Sequence, residues 1–130
     1  MRIPAHRRIA YFTAININGE LWKQMSLDGG PGWREATENP RYPNRSDRGH
    51  LVRREYPNWS RATVAKRANA DTFHFTNHTP QAAIFNQSTE HWQGIENYVI
   101  RNAEDGDKEV SVFVGPIFNT RGPQWKDVRL

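Results

Sequence analysis

The chain has no cysteine among its 130 residues, so disulfides contribute nothing and a packed core must hold the fold. Long apolar runs are also missing. Nothing approaches the roughly 20 residues needed to span a bilayer, so no membrane partner is expected. Met1–Ala10 is basic and lacks an apolar h-region, so no secretory signal is read there and the compartment stays open. No Ser/Gly linker and no internal repeat divides the sequence, which predicts one domain over residues 1–130.

What the chain does have is positive charge: a formal net charge of +4 and a sequence pI near 9.8. A basic surface attracts phosphates and gains from counterion release, although the same excess also serves ordinary solvation. The placement of the charge says more. Arg41, Arg45, Arg48, Arg53, Arg54 and Arg61 crowd around His50, where a phosphate-binding groove would want them.

The pattern of elements predicts an α+β domain with a mainly antiparallel sheet. Arg8–Asn18 alternates and is rich in β-branched and aromatic residues, as a strand would be. Asn18-Gly19 signals a hairpin, with Glu20–Met25 as the returning strand. Ser26–Ser46 reads as a long loop. Ser60 is the expected N-cap of a short helix with Ala62, Ala65 and Ala68 on its apolar face. Asp71–Asn77 alternates Phe73 and Phe75 with polar residues, which predicts a strand, and Pro80 is expected to turn the chain. One helix should follow, with Ile84, Trp92, Ile95, Tyr98 and Val99 at helical spacing. Asp105-Gly106-Asp107 then marks a turn, Glu109–Val114 a strand, and Asn119–Leu130 a polar lead-in without a strand of its own.

Against this frame, an ordered set of residues suggests metal-dependent phosphodiester hydrolysis. The set is Asp47-Arg48-Gly49-His50, then Asn77-His78-Thr79-Pro80-Gln81, then Phe85-Asn86-Gln87 with Glu96 beyond. The reaction needs an activated water and stabilisation of a highly charged transition state. A histidine with an ordinary pKa near 6.5 can act as base at neutral pH. Mg²⁺ prefers oxygen ligands and keeps several waters, so an amide oxygen from Asn86 and a carboxylate from Glu96 acting through water suffice. Arg48, beside the base, could grip the scissile phosphate in bidentate fashion.

These motifs, together with Trp92 and Val112-Phe113-Val114-Gly115-Pro116, resemble the DNA/RNA non-specific endonucleases, the ββα-metal or His-Me finger nucleases that include endonuclease G. The resemblance implies Mg²⁺-dependent cleavage of DNA and RNA with little sequence preference, with Mn²⁺ able to substitute. It implies catalytic roles for His50, Arg48, Asn77 and Glu96, with His50 as the general base. It implies metal binding by Asn86 and Glu96, and substrate binding by Arg48, Arg53, Arg54 and Gln81. On a single helix, Asn86 and Glu96 would stand roughly 80° apart, which suits a shared hydrated ion better than joint chelation. The family carries an arginine four residues beyond the glutamate, where this chain has Ile100 with Arg101 adjacent. The family also continues past the equivalent of Val128 into another strand, so a C-terminally shortened member is expected, with an exposed sheet edge.

Other readings stand beside this one. His74 and His78 would suit zinc on a helix, but on the expected strand they lie about 13 Å apart, too far for one ion. The tryptophans could stack on bases; Trp92 is read as core and the others as loop caps. A basic nucleic-acid-binding module without catalysis is the alternative from another class. A nuclease toxin domain with an acidic immunity or inhibitor protein is a third reading, and a homodimer stays open.

Overall fold

The computed structural model describes residues 9–25 and 46–118, together with two short strands at 124–125 and 128–129. The described elements are β1 (Thr13–Asn18), β2 (Ser46–His50), α1 (Ala62–Asp71), a 3-10 turn (Phe75–Asn77), β3 (His78–Ala82), α2 (Ala83–Asn86), α3 (Trp92–Glu104), β4 (Glu109–Val114), β5 (Gln124–Trp125) and β6 (Val128–Arg129). The class is α+β, as expected. The strands form separate two-stranded antiparallel pairs, β1 with β4, β2 with β3 and β5 with β6, in place of one larger sheet.

The β1/β4 pair runs from Thr13 opposite Val114 to Asn18 opposite Glu109. The two-residue side-chain period puts Ile15 and Ile17 of β1 and Val110 and Val112 of β4 on one face. That face packs on Val99, Ile100 and Ala103 of α3, with Val52, Tyr56 and Trp22 completing the core. The inward stripe of α3 is Glu96, Ile100 and Ala103, while Ile95 and Tyr98 face solvent. Burying one hydrophobic stripe of α3 therefore also buries a carboxylate at its start.

The hairpin expected at Asn18-Gly19 does not form. Asn18 Oδ1 accepts the Leu21 N–H at 2.9 Å, an Asx-type turn that competes with the hairpin, and the strand edge is already taken by β4. Gly19 is needed for a different reason: a Cβ there would lie 2.0 Å from the Ala103 carbonyl oxygen. The strand expected at Asp71–Asn77 is replaced by the end of α1 and the 3-10 turn, and the strand comes later, at His78–Ala82. Pro80 lies within that strand, which is tolerated because a two-stranded ribbon has only edge strands.

The single helix expected after Pro80 is two, α2 and α3, separated by residues 87–91, so the 80° relation between Asn86 and Glu96 does not apply. Arg61 takes the N-cap position of α1, one residue after the expected Ser60, and no side chain caps it. A small pair, β5/β6, lies within the C-terminal stretch that reads as strandless. Most of the long loop, with Arg41 and Arg45, lies outside the described residues. Among the described residues no helix is long and apolar enough to cross a membrane.

Candidate active site

The β2/β3 ribbon sets out one wall of the site. Its register places Arg48 opposite Pro80, Gly49 opposite Thr79 and His50 opposite His78. Arg48 and His50 are two apart and therefore share a face. Gly49 between them is crossed by Gln81, whose Oε1 would lie 2.1 Å from a Cβ at that position. The ribbon thus trades a side chain at residue 49 for close packing of Gln81.

Asn77 fixes where the chain goes after His50. Its Oδ1 accepts the Val52 N–H, and its Nδ2 donates to the Val52 and Thr72 carbonyls, each at 2.9 Å. The Leu51 N–H also donates to the Asn77 carbonyl at 3.0 Å. Both amide hydrogens of Asn77 are therefore spent on backbone, and the side chain is buried behind His50.

Asp47, the first residue of the motif, reaches the other wall. Asn86 Nδ2 and Gln87 Nε2 donate to the same carboxylate oxygen, at 2.9 and 2.7 Å. A carboxylate can only accept, so it fixes the Asn86 amide with its nitrogen toward Asp47 and its carbonyl oxygen turned the other way. This is the orientation that an oxygen-seeking cation requires.

Arg48, His50, Arg53, Arg54, Asn86 and Glu96 line one groove of about 680 Å³, together with Met25, Glu55, Gln87 and Gln93. Among the described residues, no three His, Cys, Asp or Glu side chains converge as a metal cage. The donors available are oxygens, the Asn86 amide and the Glu96 carboxylate, and these fit a hard divalent cation that keeps most of its water.

Burial and neighbouring charges tune the titrating groups. His50 is pushed down to about 4 by burial, then by the Arg54 guanidinium and by His78, so it is neutral at pH 7. Its ring meets the edge of Phe73 at 4.8 Å, and the Arg54 guanidinium lies over that same phenyl ring at 4.9 Å. Arg54 is steadied from α1, where Asn69 accepts from its guanidinium at 3.3 Å and donates to its carbonyl. His78 is lowered to about 4, mainly by burial, against the raising effect of its Nδ1 contact with the Phe75 carbonyl. Glu96 is raised to about 7 by burial, with Arg53 opposing the rise and Glu55 adding to it. Burial and Glu96 also push the Tyr56 phenol up.

Six of the residues singled out in the sequence thus meet in the groove; Asn77 and Gln81 stand behind it. The guanidinium of Arg53 is turned to Glu55 and Asn97. Ile100 lies in the core and Arg101 is exposed, so neither partners Glu96. His74 is exposed while His78 is buried, and a turn of 3-10 helix joins them in place of the expected strand. Trp92 is half-buried against Phe85, with ring centroids 5.9 Å apart. Trp22 and Trp59 donate their indole N–H groups to the Glu55 and Asn16 carbonyls. Sequence reasoning missed Phe73, Glu55 and the anchoring role of Asp47. Only Asp47 gave a signal, through its place in the motif.

The sequence model of the DNA/RNA non-specific endonucleases matches residues 2–129. The chain is also 40% identical over 130 aligned positions to "Uncharacterized protein y4fB" of Sinorhizobium fredii. That match takes in 86% of this chain but 19% of the relative, so the chain spans about a fifth of the length of the curated protein it matches.

Proposed function

The chain belongs to the DNA/RNA non-specific endonuclease family, and from that premise we propose that its groove hydrolyses phosphodiester bonds in DNA and RNA using a histidine base and one hydrated Mg²⁺. The observation that carries the proposal is the convergence of Arg48, His50, Asn86 and Glu96 on one polar groove, with His50 neutral at physiological pH.

His50 accepts the proton of the attacking water. A base held at about 4 is fully available at pH 7. A phosphate seated against Arg54 and Arg48 offsets their charge and raises the basicity of His50 toward its ordinary range. Arg48 orients the scissile phosphate for in-line attack, and Arg54 adds positive charge along the groove. The Asn86 oxygen, and Glu96 acting through water, would hold the cation, with Mn²⁺ able to replace Mg²⁺. When bound there, the cation supplies charge stabilisation to the phosphorane-like transition state and to the leaving 3′ oxygen, which leaves 5′-phosphate ends. Asn77 and Gln81 position the ribbon that carries the base. Recognition through phosphate, with no reading of base edges, accounts for low sequence preference.

The test is cleavage of supercoiled plasmid and of structured RNA in Mg²⁺ or EDTA, comparing wild type with His50→Ala. Mg²⁺-dependent nicking that disappears in His50→Ala supports the assignment. A folded wild type that retards both substrates without cutting either would overturn it in favour of a binding module.

A further inference from the structure

Arg53 faces the groove, yet its guanidinium is already engaged. Its Nε and Nη2 both bond the Oε2 oxygen of Glu55, and its Nη1 donates to Asn97 Oδ1 at 2.6 Å. The same Nη1 stands 3.9 Å from Glu96 Oε2, outside hydrogen-bond range. Side-chain exposure is 16% for Arg53 and 11% for Glu96. A planar fork tied at one end to Glu55 and at the other to Asn97 has little freedom to turn toward a substrate phosphate. It can, however, fix the neighbouring residue on α3. It lies near the Glu96 carboxylate without occupying the oxygen that a hydrated cation would use.

We propose that Arg53, held by Glu55, is a positioning residue for Glu96 and not a phosphate ligand. Glu55 supplies the restraint. Without it, the guanidinium closes the gap to Glu96 and competes with the cation for that oxygen. Without Arg53, α3 loses the bond that fixes Asn97, and with it the set of the adjacent Glu96 side chain. This inference rests on the reading of Asn86 and Glu96 as the cation site.

The experiment pairs two binding measurements on the intact chain. Mn²⁺ uptake is followed by electron paramagnetic resonance in wild type, Arg53→Gln, Glu55→Gln and the double variant. DNA affinity is measured against salt concentration in EDTA. Positioning predicts that each single change weakens Mn²⁺ binding about tenfold, the usual scale for groups that orient metal ligands. It also predicts that the double variant binds no more weakly than either single, and that the salt dependence of DNA binding is unchanged.

Simple through-space charge predicts instead that Arg53→Gln tightens Mn²⁺ binding, and that outcome overturns the proposal. So does a log–log salt slope shallower by about 0.9 in Arg53→Gln with Mn²⁺ uptake unaltered, the mark of a lost phosphate contact. Should thermal melting show Arg53→Gln unfolded, Arg53→Lys carries the same test. It keeps the charge but loses the fork, so weakened uptake supports positioning and unaltered uptake refutes it. Normal wild-type uptake with unaffected variants overturns this inference alone, whereas a wild type that takes up no Mn²⁺ and cuts nothing overturns the nuclease reading with it.

Discussion

Replacing Asn77 with alanine should cost the protein a large share of its stability, and activity only through that loss of order. The side chain satisfies the Val52 N–H and two carbonyls, those of Val52 and Thr72, in a position that is 7% exposed. Each bond contributes about 1 kcal/mol net, and a buried N–H left without a partner costs about 1–3 kcal/mol. Asn77→Ala should therefore destabilise by about 3–5 kcal/mol, against a total of about 5–15 kcal/mol for an ordinary domain. Urea titration would show the midpoint falling with little change in slope. The kcat of the fraction that remains folded would also fall, because the segment after His50 has lost its anchor. A variant as stable as wild type that has nonetheless lost its kcat would refute this reasoning, since it would mean that Asn77 acts on the substrate directly.

Two further outcomes follow from the same contacts. Asp47→Asn should weaken Mn²⁺ binding about tenfold by freeing the Asn86 amide to turn, while changing stability by about 1 kcal/mol or less; unaltered Mn²⁺ uptake would rule out the anchoring role. For the apo protein, His50 and His78 are lowered from 6.5 to about 4, so the unfolded chain binds two protons there that the folded chain refuses; Glu96, raised from 4.5 to about 7, offsets one of them. Stability should therefore peak near pH 7 and fall on acidification by about 1.4 kcal/mol per pH unit, and Glu96→Gln should roughly double that slope. Chemical denaturation across pH in EDTA reads both values, and a flat profile would contradict them.

The parts of the fold that were legible in the sequence are those governed by local pattern. Glu109–Val114 alternates Val110, Val112 and Val114 inward, and the strand forms where the alternation says. The misread hairpin has a plain cause: the true partner of β1 is β4, far along the chain, and nothing local marks so distant a pairing. Phe73 and Phe75 imitate a strand because both are bulky and two apart, but Phe73 is recruited to pack on His50. The buried stripe of α3 was hidden because it begins with a charged residue and ends with a small one, Glu96 and Ala103. The residue types of the candidate site could be read from their order. What orients them could not, because Asp47 with Asn86, and Arg53 with Asn97, meet only after distant segments have docked.

The Asp47 bridge ties assembly of the candidate site to the completion of the fold. One end of that bridge is on β2, beside Arg48 and His50, and the other is on α2, which directly follows β3, the partner strand of β2. A nascent or partly unfolded chain therefore holds its basic residues and its candidate cation ligand apart. Such a chain keeps its positive charge but lacks the assembled groove. On the nuclease reading proposed above, cleavage is then a property of the finished fold alone, since heat or acid that parts β2 from α2 separates Asp47 from the Asn86 amide it orients.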